Sequence, residues 1–152
     1  MSDVRYFNNF QEEVSFIAEY IEKIKNETGS IKEVCLVART NNLIKHYESA
    51  ISAKGFEIYL VRRSEAEDFS SPGLRLATMH RVKGLEFDRV IIAGVNEGVV
   101  PFEGAQFYSS DTVVKRESEV QERALLYVSA TRAKKEVVVT SFGKSSRFLS
   151  NL

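Results

Sequence analysis

The segment LRLATMHRVKGLEFDRVIIA, residues 74–93, decides how this chain is read. Residues 74–78 alternate in the manner of a half-buried strand, and residues 89–93 form an apolar run suited to a buried one. Between them stand His80, Arg81, Lys83, Gly84 and Glu86. So many hydrogen-bonding groups between two core strands fit either a connection that faces a ligand or a solvated loop, and the rest of the sequence decides.

The flanking sequence supplies the frame. Residues 10–25 place Val14, Ile17, Ala18, Ile21 and Ile24 on one helical face, with Gly29 as the stop. Residues 34–38 read as a strand buried on both faces, 43–53 as a second helix closed by Gly55, and 56–61 as a further strand. A charged loop is expected over 62–73 and a long connection over 94–112, where glycines and Pro101 interrupt any period. Residues 113–130 carry Val120, Ala124, Leu125 and Val128 on one face of a third helix, and 136–140 make a last buried strand. Buried strands alternating with helices predict an α/β fold: a mostly parallel sheet with helices on both faces, in a single domain spanning 1–152.

Composition narrows the function classes. Twenty-one basic residues balance 21 acidic ones, so bulk positive charge does not drive nucleic-acid binding here. The first thirty residues are acidic, with Asp3, Glu12, Glu13, Glu19, Glu22 and Glu27 against Arg5, Lys23 and Lys25, which directs any nucleic-acid face elsewhere. No apolar run approaches the ~20 residues that cross a bilayer, and the N-terminus has no signal-peptide pattern. The lone Cys35 lies in an apolar strand and reads as a buried thiol, so a reducing, cytoplasmic setting is expected.

In open parallel sheets, ligands gather outside the carboxyl ends of the strands. TMHRVKGLEF (78–87) follows a strand and is expected at that edge. Thr78 and His80 suit phosphate oxygens, Lys83 adds charge, Gly84 admits a close backbone, and Glu86 suits ribose hydroxyls. The same residues would also serve a solvated loop with Thr78 as a helix cap. A second stretch, QERALLYVSATRAKKEVVVT (121–140), places Arg132 where the third helix meets the last strand, beside Thr131.

The two stretches in this order resemble motifs V and VI of the UvrD/Rep-like superfamily 1 DNA helicases. Motif V is matched by Thr78, His80, Lys83, Gly84, Leu85, Glu86 and Phe87, and motif VI (121–133) by Glu122, Arg123, Leu125, Tyr127, Val128, Thr131, Arg132 and Ala133. Residues 94–98 with Pro101 and Phe102 resemble the connection after motif V, and 37–41 resemble motif IVa. The resemblance implies the second of two RecA-like domains that clamp ATP and Mg²⁺ between them while single-stranded DNA crosses both. It implies that Arg132 acts as an arginine finger, that Glu86 meets the ribose with Gly84 close to the nucleotide, and that Thr78 and His80 contact the DNA backbone. Arg39, Thr40 and Asn41 would line the same track.

No phosphate-binding loop of the form G-x-x-x-x-G-K-[ST] is present. Gly143-Lys144-Ser145 mimics its end, but Val138 stands where the first glycine belongs. No Walker B carboxylate follows a strand, since Asp88 precedes one. The resemblance therefore implies that the N-terminal RecA-like domain of the same protein holds the metal and most phosphate contacts, and that this chain is part of a larger helicase. Large family members insert a helical domain before motif V, where only 62–73 stand here. Cys35, His46 and His80 show no ligand-like spacing, so no metal site is expected among them. The alternative is a helicase-like module that binds DNA or a protein partner without catalysis. Such a module has no use for both Glu86 and Arg132. A doubly wound small-molecule domain leaves the paired motifs unexplained.

Overall fold

Every residue of β2 (Val34–Ala38) is buried. Val34, Leu36 and Ala38 join one apolar cluster, and Cys35 and Val37 join another. Two-sided burial of this kind belongs to a central strand with structure packed on both faces. The computed structural model describes residues 2–62, 70–103 and 111–151. Among these, β1 (Ser2–Phe7), β2, β3 (Ile58–Leu60), β4 (Leu74–Thr78), β5 (Phe87–Ile92) and β6 (Ala133–Phe142) form one sheet in the order β1-β6-β5-β2-β4-β3. All of its strand pairs are parallel. The loop expected over 62–73 and the connection expected over 94–112 lie partly outside the described residues.

Helices α1 (Phe10–Thr28) and α2 (Asn41–Ser52) cover one face through Val14, Ile17, Ile21, Ile44, Tyr47 and Ile51. Helix α3 (Thr112–Ala130) covers the other with Leu125 and Leu126, joined by a 3₁₀ turn, Arg147–Asn151, that buries Phe148 and Leu149. The expected α/β architecture with both faces covered is what forms. Local chemistry sets the helix ends: the side chains of Asn9, Thr40 and Asp111 cap the three N-termini, and Gly29 ends α1 at φ 85°.

Several expectations need correction. Strand β1 was not anticipated, because an edge strand with one neighbour needs no hydrophobic run; Tyr6 is 59% exposed. Strand β4 is buried on both sides rather than half-buried. Arg75 tolerates this because Nη1 donates to the carbonyls of Ser71 and Gly73 and the guanidinium stacks on Tyr59 at 4.7 Å. Val120 does not face the sheet: it is 61% exposed, and the N-terminal half of α3 carries no buried residue.

The largest correction concerns residues 79–86. They join β4 to β5, which flank β2 in a parallel sheet, so the chain must return to the opposite edge. These residues begin at the carboxyl edge but do not stay there. The amides of Arg81 and Val82 close a turn onto the Thr78 carbonyl at 3.0 Å each, and Met79 and Val82 are fully buried pins. Burying such a side chain stabilises by about 1.5–3 kcal/mol, enough for the two to hold the crossover down.

A buried carboxylate joins the layers. Glu13 of α1 is fully buried and accepts hydrogen bonds from Tyr47 Oη of α2, from the Gly94 amide after β5 at 3.0 Å, and from Thr140 Oγ1 of β6 at 2.7 Å. Gly94 has φ 67°, and a Cβ there would meet Tyr47 Oη at 2.9 Å, so no larger residue fits. Burial raises the Glu13 carboxyl above its ordinary value, against the opposing pull of the three donors. With the folded pKa above the unfolded one, stabilisation is complete below the ordinary carboxylate value and is lost as pH rises through the raised one. Urea unfolding should therefore show stability falling across that window, and Glu13→Gln should flatten the slope. Glu13→Ala strands three buried donors and should cost about 3 kcal/mol at low pH, and less as pH rises through the window. A wild-type profile without the slope would contradict this.

Candidate functional site

At the carboxyl edge, β2 delivers Arg39, Thr40 and Asn41, and β4 delivers Thr78 and then His80. Thr40 Oγ1 accepts from the Leu43 amide at 3.2 Å, so it also caps α2. Thr78 Oγ1 accepts from the Arg81 amide at 3.2 Å and so takes part in the turn that starts the crossover. Asn41 and Thr78 share a cleft of about 580 Å³ with Lys45, Arg62 and Arg81. With Glu48 also on its wall, the cleft holds three cations against one carboxylate, a net positive surface suited to phosphate oxygens.

Arg39 and His80 face a neighbouring cleft of about 630 Å³, together with Lys83, Phe102 and the α3 residues Gln121 and Glu122. Here the structure adds a pairing that single residues did not reveal. Arg39 Nε and Nη2 donate to Glu122 Oε1 and Oε2 at 2.9 and 2.8 Å, a forked ion pair with side chains only 14% and 12% exposed. Glu122 Oε1 also accepts from the Phe102 amide at 2.7 Å, and the Arg39 guanidinium lies 5.0 Å from the Phe102 ring. Motif resemblance had marked Glu122 and Phe102 separately; nothing in their spacing showed that Arg39 joins them.

Of the remaining candidates, Glu86 and Arg132 stand at the opposite edge, where β5 and β6 begin. Gly84 is exposed at φ 81°, a backbone that side chains rarely adopt although the space around it is open. Glu86 is exposed just before β5, and Arg132 precedes β6, with the Phe87 amide donating to the Arg132 carbonyl at 2.9 Å. The crossover thus carries Glu86 to the start of the strand next to Arg132. Arg132 Nη2 donates to Thr131 Oγ1 at 3.2 Å, while its Nε is buried with no hydrogen-bond partner among the described residues. Lys134 and Lys135 nearby both pair with Asp88, at 3.9 and 3.6 Å. No described carboxylate pairs with Arg132 itself.

Gly143, Lys144 and Ser145 lead into an antiparallel bridge with Asn96 and the 3₁₀ turn, not into a helix N-terminus. Among the described residues, no three His, Cys, Asp or Glu side chains converge as metal ligands. No described helix is long and apolar enough to cross a membrane.

His80 is held below its ordinary pKa, first by burial and then by Arg39 and Lys83, with Glu122 opposing. The shift favours the neutral ring at neutral pH. In a proton NMR titration its ring should show a midpoint below 6.5, its ordinary value. Lys83→Gln should raise that midpoint part of the way, because burial is the larger cause. A midpoint at or above the ordinary value contradicts this electrostatic picture.

The chain was compared with known proteins. The model of the UvrD-like helicase C-terminal domain matches residues 60–144, more than half of its 152 residues. The ATP-dependent DNA helicase PcrA of Bacillus subtilis is 28% identical, covering 100% of this chain and 23% of its own. DNA helicase II of Haemophilus influenzae is 33% identical over 88% of this chain and 18% of its own. The chain therefore spans about a fifth of the length of these relatives. The crystal structure of the C-terminal domain of a possible DNA helicase from Lactobacillus plantarum superposes with a TM-score of 0.70 at 21% identity, covering 98% of this chain and 78% of that one. The SWI2/SNF2 ATPase core of Sulfolobus solfataricus shares the fold at a TM-score of 0.58 and 9% identity, covering 91% of this chain and 27% of that one. With both motif stretches set in an all-parallel sheet, and with the family model matching across them, this chain belongs to the UvrD-like helicase C-terminal domain family.

Proposed function

We propose that this chain is the second RecA-like half of an ATP-dependent DNA helicase, working against the N-terminal RecA-like domain of the same protein. It lends Arg132 as the arginine finger, Glu86 as the ribose contact with Gly84 beside the nucleotide, and Thr40, Asn41, Thr78 and His80 as part of a single-stranded DNA track. Arg39 lies in the same stretch but is engaged by Glu122.

The state of Arg132 carries this reading. A guanidinium with a buried, unsatisfied Nε and no described carboxylate partner is an arrangement that folding alone does not favour. It suits a cation kept for an anion that arrives from outside. Glu86 lies at the same edge, just before the strand next to it, where it can accept from sugar hydroxyls. The names of the relatives, ATP-dependent DNA helicases among them, support the same assignment.

In such a clamp Arg132 acts on charge that develops during γ-phosphoryl transfer, and an arginine in this role is typically worth ~10³–10⁵ in rate. A planar, permanently charged fork suits three spread phosphate oxygens better than an ammonium does. Bound Mg²⁺ would neutralise charge between the β- and γ-phosphates. With no described carboxylate cluster here, we assign that metal to the first domain. Gly84, at φ 81°, keeps a side chain away from the nucleotide.

With the first domain present, Arg132→Ala should lower kcat by about 10³-fold or more while nucleotide affinity stays within about threefold of the parent. Arg132→Lys should recover little. The 152-residue chain alone should hydrolyse no ATP above background, since it lacks a phosphate-binding loop. Hydrolysis by Arg132→Ala within a few-fold of the parent would favour the non-catalytic module instead.

A further inference from the structure

The middle of α3 is tied down by polar contacts rather than by packing. Its buried residues are Leu125, Leu126 and Ser129, all near its C-terminal end, while Val113 and Val120 are 60% and 61% exposed. One turn before Leu125 and Leu126 stands Glu122, which receives both prongs of Arg39 and the Phe102 amide. Arg123 stacks on Phe148 at 4.1 Å and ties the helix to the 3₁₀ turn. Helix α3 then runs straight into Arg132, whose amide donates to the Ser129 carbonyl at 3.2 Å.

We propose that Arg39 is a positioning residue for ATP hydrolysis: through Glu122 it fixes α3 against the exit of β2, and thereby fixes where Arg132 stands. This rests on the arginine-finger assignment given above. Arg39 belongs to the strand end that also presents Thr40 and Asn41, so the pair is a direct link between the proposed DNA edge and the helix that ends at the proposed nucleotide edge. Two of its three guanidinium nitrogens are committed to Glu122, and its flat face lies against Phe102. What remains for a phosphate is the pair of N–H groups on Nη1 and the second one on Nη2. A direct DNA contact would leave the forked, largely buried pairing without a purpose. A helix anchor requires it, because a planar fork fixes orientation as well as distance.

A double-mutant cycle tests this, with DNA-stimulated hydrolysis measured in the presence of the first RecA-like domain and folding checked by urea unfolding of the 152-residue chain. Arg39→Ala and Glu122→Gln should each lower kcat by about 10- to 100-fold, as expected for a misplaced reacting group, with the KM for ATP and the Kd for single-stranded DNA changed less than about threefold. The double variant should be no slower than the worse single, because both remove one interaction. Arg39→Lys should fall between, keeping the charge without the fork. If Arg39→Ala does not fold, Arg39→Lys and Glu122→Gln carry the comparison. Arg39→Ala weakening DNA binding about tenfold, with Glu122→Gln leaving it intact, would make Arg39 a phosphate contact and overturn the proposal. So would unchanged kcat in both variants while Arg132→Ala collapses it. If Arg132→Ala also hydrolyses normally, the finger assignment itself fails and the positioning role falls with it.

Discussion

Parallel strands impose a return journey, and between β4 and β5 only eight residues, 79–86, make it. By register, Thr78 lies level with Ala38 while Phe87 lies beyond Val34 at the other end of β2. The trip covers roughly 20 Å along the strands and about 10 Å across β2. An eight-residue helix would rise only ~12 Å. The chain therefore makes two successive turns rather than a helix, the first onto the Thr78 carbonyl and the second with the Leu85 amide on the Val82 carbonyl, with Met79 and Val82 buried beneath it and His80 and Lys83 left outside. That geometry separates Thr78 and His80 from Glu86, though only eight and six positions part them in sequence. It also brings Glu86 beside Arg132, which is remote in sequence.

Around this crossover, polar ties do what apolar packing leaves open. Glu13 receives donors from α2, β6 and the turn after β5, and so registers the α1–α2 layer against the carboxyl edge. On the other face Glu122 performs the corresponding service between α3, the exit of β2 and the Phe102 turn. The two differ in kind. Glu13 is wholly enclosed and opposes its own ionisation, whereas Glu122 meets a permanent cation at the wall of an open cleft. Burial of the first serves stability. Placement of the second, beside the proposed DNA edge and on the helix leading to Arg132, is where structure can act on function.

The central elements were legible in the sequence because their causes are local. Two-sided burial made residues 34–38 and 89–93 plain as strands, and the spacing of Val14, Ile17, Ile21 and Ile24 together with Gly29 made α1 plain. Edge strand β1 was not legible, because pairing with β6 alone asks little of its side chains. Nor was the inward side of α3, where Val120 fits the helical period but meets no sheet. The candidate residues were found through motif resemblance, yet their arrangement was not. A rule about carboxyl edges placed all of TMHRVKGLEF together, and only the parallel return shows that it spans both edges. Pairs such as Arg39–Glu122 and Glu13–Tyr47 depend on long-range contacts that no local pattern records.

The proposed division of one sheet into a DNA edge and a nucleotide edge can be tested on the chain itself. Backbone amide NMR during titration with a short oligothymidylate should show shifts concentrated at Thr40, Asn41, Thr78 and His80. The amides of Gly84, Glu86 and Arg132 should remain still, and the shifts should fade steeply as salt is raised. Shifts centred on Glu86 and Arg132, or spread evenly over both edges, would contradict the division.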